Sequence, residues 1–206
     1  AVTVTWDGDG HTVAAQSDGS YLLPEGAYTY TVKAKGYAKV VEPLKVAKDE
    51  TISVTLTPST AWDGAEREQP DGSGTKAAPY QIGSGAELAW LANAVNDASS
   101  GTKFYVVLTD DIDLGNQPWT PIGRDFHEFS GAFDGNGHVV EGLKVSNVAD
   151  AGLFGAAKGA AIKNLVVRGS VTGTDNAAGI LAKAKNEACT IENCGNEAAV
   201  TVTKSG

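Results

Sequence analysis

The 206-residue chain has no methionine, only two cysteines, few aromatics and no cluster of lysine or arginine. Sixteen Lys and Arg face 25 Asp and Glu, for a formal net charge of −9. Binding to a phosphate backbone needs gathered cations, so nucleic acid is not an expected partner. No run approaches the roughly 18 consecutive apolar residues of a membrane-crossing helix, so no membrane span is expected in this segment. Signal-peptide, lipidation and wall-sorting motifs are also missing. Without an initiator Met the sequence reads as a segment of a longer polypeptide, with any targeting or anchoring signal outside it. Cys189 and Cys194 are too few for a disulfide framework and indicate no redox compartment.

Glycine, by contrast, is abundant: 25 of 206 residues, against about 7% in average usage. It does not recur at every third position, which excludes collagen. Patterned apolar runs argue against wholesale disorder. A turn-rich, β-rich globular protein remains, and at roughly 100–200 residues per domain two domains are expected.

Residues 1–58 alternate apolar and polar side chains in Val2–Trp6, Tyr28–Val32 and Ile52–Leu56, which predicts strands with one buried face. Gly8, Gly10, Gly19, Gly26 and Gly36 fall at the breaks, and Pro24 fixes another bend. A small antiparallel β-sandwich is expected. The string Gly19, Tyr21, Leu23, Pro24, Gly26 and Tyr28, followed by Gly36 and Tyr37, resembles the PEGA and carboxypeptidase-regulatory-like modules. That resemblance implies an extracellular spacer or adhesive sandwich without chemistry of its own.

Residues 59–79, rich in Gly, Pro, Ser and Asp, carry almost no periodic apolar signal and read as a linker. Trp62 is the exception. Its large apolar area favours packing on a neighbouring surface over a ligand role. Ser84 and Glu87 then have the spacing of a capping box. Leu88, Leu91, Ala92 and Val95 follow on one face, with Gly101 beyond the expected helix end. Downstream, short β segments are expected at Phe104–Thr109, Ile112–Leu114, Phe129–Phe133 and Val139–Val145.

The second half repeats itself. Val140–Val145, Ile162–Val167 and Ile191–Cys194 align as one motif, with 22 residues from Leu143 to Leu165 and 29 from Leu165 to Cys194. Ala151–Gly155 aligns with Ala178–Ala182 at an offset of 27 residues, and Gly169–Val171 is echoed at Ala199–Val200. Such periods predict a solenoid of short parallel strands, with Ile162 on Ile191 and Leu165 on Cys194 in one apolar stack. Gly142, Gly152, Gly155 and Gly179 are expected at its bends. The last coil, 198–203, should leave an uncapped strand edge.

This half resembles the GLUG-repeat surface proteins of Gram-positive bacteria. The match runs through Pro79–Ile82, Glu87–Leu91, Leu108–Leu114, Trp119–Gly123, Phe129–His138, Gly142 and Leu143, Gly152–Gly155 and Ile191–Cys194. The resemblance implies that 80–206 is the helix-capped start of a right-handed parallel β-helix. Such repeats belong to secreted or wall-attached adhesin-like proteins, or to accessory regions beside immunoglobulin-A-protease-like enzymes. The repeat itself is not a catalytic motif.

Residues that could carry chemistry have simpler readings. Asp110, Asp111, Asp113 and Asp134 could gather around Ca²⁺ or, with Arg124 or Lys103, resemble a lyase site. Neither Asp7–Gly10 nor Asp134–Gly137 completes an EF-hand loop, and Asp or Asn beside Gly more often makes a turn. A glycosidase needs two carboxyls about 5–9.5 Å apart, which sequence cannot locate. His11, His127 and His138 belong to no nucleophile or triad signature. Cys189 and Cys194 lack the partners of a zinc site, and a disulfide across five residues is disfavoured by strand alternation. Cys194 should be a small core filler. Trp119, with Trp62, could stack on sugars, although burial explains it better.

No catalytic, cofactor-binding or metal residue is therefore assigned, and no cofactor is expected. The reading leans to a non-catalytic, monomeric segment of a cell-surface or secreted bacterial protein, acting as an adhesive or presenting scaffold. Its partner would be a host or wall ligand, with glycans among the candidates. A carbohydrate-binding or polysaccharide-degrading β-helix is the alternative.

Overall fold

A computed structural model describes residues 2–32, 40–48, 51–56, 60–99 and 101–203. Gly36 and Tyr37, which end the PEGA-like string, and Pro58, at the expected domain edge, lie outside the described residues. The chain divides into two compact units, Ala1–Thr60 and Ala61–Gly206.

The first unit is an antiparallel sheet of β1 (Val2–Trp6), β2 (Thr12–Val13), β3 (Gly26–Val32) and β4 (Val40–Val46), in the order β2-β1-β3-β4. The period-two pattern places Val2, Val4, Tyr30, Val32, Leu44 and Val46 along one apolar groove. Among the described residues the unit contains one sheet. Ile52–Leu56, expected as a strand, forms none; Ile52 and Val54 line the groove as irregular chain. The position beside β3 is taken instead by β4, whose Pro43 sits opposite Thr29. Proline lacks an amide donor, and an edge strand can spare one.

The second unit begins at Ala61, so 61–79 is part of it rather than a linker. Trp62 explains why. It is 6% exposed, its amide donates to Asp113 O at 2.8 Å, and its indole Nε1 donates to Glu66 O at 2.8 Å.

β5 (Tyr80–Ile82) leads into α1 (Gly85–Asp97). Ser84 is the N-cap and accepts from Glu87 N, as the capping box predicts. The Glu87 carboxylate reaches one residue further back than expected, accepting from Gly83 N at 2.8 Å rather than from the cap amide. Leu88, Leu91, Ala92 and Val95 are buried, and their face joins the core of the parallel sheets.

The strands after α1 are β6 (Phe104–Leu108), β7 (Ile112–Asp113), β8 (Phe129–Asp134), β9 (Val139–Ala151), β10 (Phe154–Lys163) and β11 (Val166–Ala177). They continue with β12 (Leu181–Ala184), β13 (Thr190–Glu192), β14 (Gly195–Asn196) and β15 (Ala199–Val202). They form two parallel sheets, one ordered β12-β10-β8-β6-β5 with β13 also on β10, the other ordered β14-β11-β9-β7 with β15 also on β11. From β7 to β12 the chain alternates between the two. Phe133 pairs with Ile162 and Ile162 with Ile191, so the chain returns to the same place every 29 residues.

This register corrects the internal alignment. Ile162 does stack on Ile191, and Gly195 N donates to Leu165 O beside Cys194. Val140, however, pairs with Val167 and Leu143 with Gly169, so the 22-residue spacing is not a rung. Val140–Val145 lies within one sheet, whereas Ile162–Val167 crosses from one sheet to the other: Ile162 belongs to the sheet of Phe133, Val167 to that of Val140. The 27-residue offset holds, because Phe154 pairs with Leu181. Phe129, Phe133 and Phe154 fill the middle of the core with ring centroids 5.1 and 5.2 Å apart. Each fully buried side chain of this size stabilises the fold by about 1.5–3 kcal/mol.

Of the four glycines expected at bends, Gly152 and Gly179 lie between strands, whereas Gly142 and Gly155 lie within β9 and β10. Gly155 is a glycine because of crowding: a Cβ there would stand 2.5 Å from Gly123 O and 3.0 Å from Pro121 Cβ. The corners instead use asparagine, with Asn136, Asn164 and Asn193 at φ of 52 to 54°. A short amide side chain tolerates this left-handed backbone best after glycine.

Candidate functional site

The acidic residues singled out in the sequence do not converge; each is engaged in local structure. Asp110 Oδ1 accepts from Asp111 N, and Asp113 Oδ1 accepts from Gly115 N at 2.7 Å. Asp111 Oδ1 accepts from Val139 N at 3.0 Å and faces His138 Nδ1 at 3.1 Å. Those two contacts, the amide first, hold its carboxyl below the usual range. Asp134 Oδ1 accepts from Asn136 N and from Asn164 Nδ2, both at 2.9 Å, while Oδ2 pairs with Lys163 Nζ at 3.0 Å. Partial burial pushes Asp134 upward, but the bonds from Asn164, Asn136 and Lys163 together outweigh it and its pKa is lowered.

Arg124 is directed away from these acids, donating from Nη2 to Asn96 O at 3.0 Å. Lys103 is exposed. Among the described residues no three His, Cys, Asp or Glu side chains gather as a metal site would require. The Asp7–Gly10 loop is a turn in which Asp9 Oδ1 accepts from His11 N at 2.9 Å. His127 Nδ1 lies 2.9 Å from Ala98 O, which can only accept, so that nitrogen carries the proton.

Both cysteines are free thiols, and Cys194 packs partly buried against the core as a filler. Trp119 is buried edge-on to Trp62, with centroids 5.6 Å apart, and donates from Nε1 to Leu153 O. Neither ring offers a face for stacking. On β13 and β15, Ile191, Val200 and Val202 remain exposed.

Charged and aromatic groups do gather at one place that sequence reasoning passed over. Arg124 and His127 bond to each other's backbone in both directions, closing a two-residue turn over Asp125 and Phe126. Phe126 has φ 70° and is 79% exposed. Around it, Asp125 Oδ1 lies 2.8 Å from Lys185 Nζ and 3.3 Å from Lys183 Nζ. Lys183 also reaches Asp150 at 3.4 Å, and Lys185 reaches Glu128 at 3.6 Å and sits 5.5 Å from the Phe126 ring centroid. Lys185, then Lys183, lowers the Asp125 pKa; Asp125 in turn raises that of Lys183. Asp125 and Lys183 are 58 residues apart, two turns of the chain, so no local motif announces the cluster. The one legible signal is a lone aromatic within the charged string Arg124–Glu128.

No family model matches the chain, and no solved structure matches it. Over an alignment 131 residues long that covers 56% of this chain, the sequence is 31% identical to Halomucin of Haloquadratum walsbyi (strain DSM 16790 / HBSQ001). The alignment covers 1% of the length of Halomucin.

Proposed function

We propose that this chain is a non-catalytic segment of a bacterial cell-surface or secreted protein, serving as an adhesive or presenting scaffold. In this reading 1–58 is a PEGA-like sandwich, and the remainder is the helix-capped start of a GLUG-type right-handed β-helix. The observation that carries it is how the candidate acids are used. Asp111 and Asp134 each tie one turn to the chain beside it and Asp113 closes its own turn, leaving a stack whose polar groups serve register and whose outward turns can vary. The partial likeness to Halomucin is compatible with such a role.

The test is to immobilise the full chain and measure retention of bacterial wall polymers, mucin and host cells, with reducing-sugar release followed in parallel. Retention without release is expected. Release of reducing ends that is lost on Asp111→Asn or Asp134→Asn would replace the scaffold by an enzyme.

A further inference from the structure

Seven non-glycine residues among those described have positive φ; six are asparagine and the seventh is Phe126. Asparagine is the common non-glycine solution to that backbone, and an aromatic there is an outlier. Nothing in the turn buries the ring, which is 79% exposed. The strained conformation is held from several sides: Phe126 N donates to Glu128 Oε1 at 3.1 Å, and Arg124 and His127 anchor the turn's base to Asn96 O and Ala98 O. The surrounding structure thus fixes an aromatic ring in solvent at a local conformational cost.

The chemistry beside the ring narrows what it would meet. Asp125, Asp150, Glu128, Lys183 and Lys185 supply three carboxylates and two ammonium groups. An ammonium has three donors, so each lysine retains one after its two ion pairs. An apolar protein anchor would leave these charges desolvated. An anionic ligand would have to compete with three carboxylates already paired to those lysines. A neutral sugar ring fits both features, since its C–H face packs on an aromatic ring while its rim hydroxyls donate to carboxylates and accept from ammonium groups. We propose that the Asp125–Phe126 turn, with Glu128, Asp150, Lys183 and Lys185, is a binding site for a neutral glycan.

The site deepens the adhesive reading and rests on it, because it supplies the contact through which the scaffold would hold a partner. It also differs from the buried Trp62 and Trp119 as a sugar platform: those rings are held in the core, and this one is presented on a pinned turn.

The experiment titrates the full chain, carrying ¹³C-labelled phenylalanine, with cellotetraose, chitotetraose, mannotetraose and xylotetraose, and with tetragalacturonate as the anionic comparison. At least one neutral tetrasaccharide should shift the Phe126 ring signals saturably and more strongly than tetragalacturonate. Phe126→Ala and Lys183→Ala should each weaken that binding about tenfold or more. Phe126→Asn should abolish it while raising the melting temperature, a combination that a merely structural residue would not give. If no neutral tetrasaccharide moves the Phe126 signals, if Phe126→Ala binds as well as the parent, or if tetragalacturonate binds best, the proposal is overturned. Should Phe126→Ala retain adhesion to the surfaces tested above, this site falls and the scaffold stands. Failure of the parent chain to adhere to any of them defeats the broader reading first.

Discussion

Asn193 donates from Nδ2 to Oδ1 of Asn164 at 2.8 Å, joining two corners of the stack that lie 29 residues apart in the chain. Asn164 passes the chain of bonds on, donating from its own Nδ2 to Asp134 Oδ1. A side chain chosen for its tolerance of left-handed backbone thereby also sets the register of its neighbours. Replacing Asn164 by Ala should destabilise the second unit by about 2–3 kcal/mol, from lost bonds and left-handed strain together. Asn164→Gly keeps the backbone freedom and should cost about 1 kcal/mol. Urea denaturation of the two variants separates the contributions.

Glycines divide by the same kind of comparison. Gly155→Val would drive a side chain towards the backbone of Gly123 and should cost about 3 kcal/mol or more. At Gly137, with φ 85° and nothing within 4 Å of a Cβ, Ala meets only backbone strain and should cost about 1 kcal/mol. Calorimetry should show the Gly155 variant losing the transition of the second unit while that of the first remains.

The cap of α1 is a local interaction with a local cost. Ser84→Ala removes the acceptor for Glu87 N and should lower stability by about 1 kcal/mol. Ser84→Asp should restore it, and thermal unfolding at neutral pH is the measurement.

Asp111, Asp125 and Asp134 all have folded pKa values below those of the unfolded chain. Unfolded aspartate titrates near about 3.9. Their contribution is therefore fully present above that pH and disappears as pH falls through the lower folded values. The melting temperature of the second unit should be flat from neutral pH to about pH 5 and should drop below about pH 4. Asp134→Asn should flatten that acid limb. An unchanged limb in the Asp134, Asp111 and Asp125 asparagine variants would show that these groups do not govern it.

Local signals were legible wherever the interaction itself is local. Ser84 and Glu87 announced the helix start, because the bond from Glu87 N to the Ser84 hydroxyl is made within four residues. Val2–Trp6 and Phe104–Leu108 showed their alternation, and both are strands. Ile52–Leu56 shows the same alternation and is no strand. Alternation states which side chains can share a face, and a strand also needs a neighbour with free amides and carbonyls.

The sequence by itself determined that the protein is built mostly of β-structure, where the helix after Ser84 starts, and that the second half repeats. These follow from backbone preferences and apolar spacing within a few residues. Only the tertiary structure decided that Val140 stacks on Val167 rather than aligning with Ile162, that Trp62 draws 61–79 into the second unit, and that Lys183 and Lys185 arrive beside Phe126. The first and third of these depend on how many residues one full turn consumes. That number is set by corner geometry and core packing summed around the whole turn, a quantity no short stretch of sequence contains.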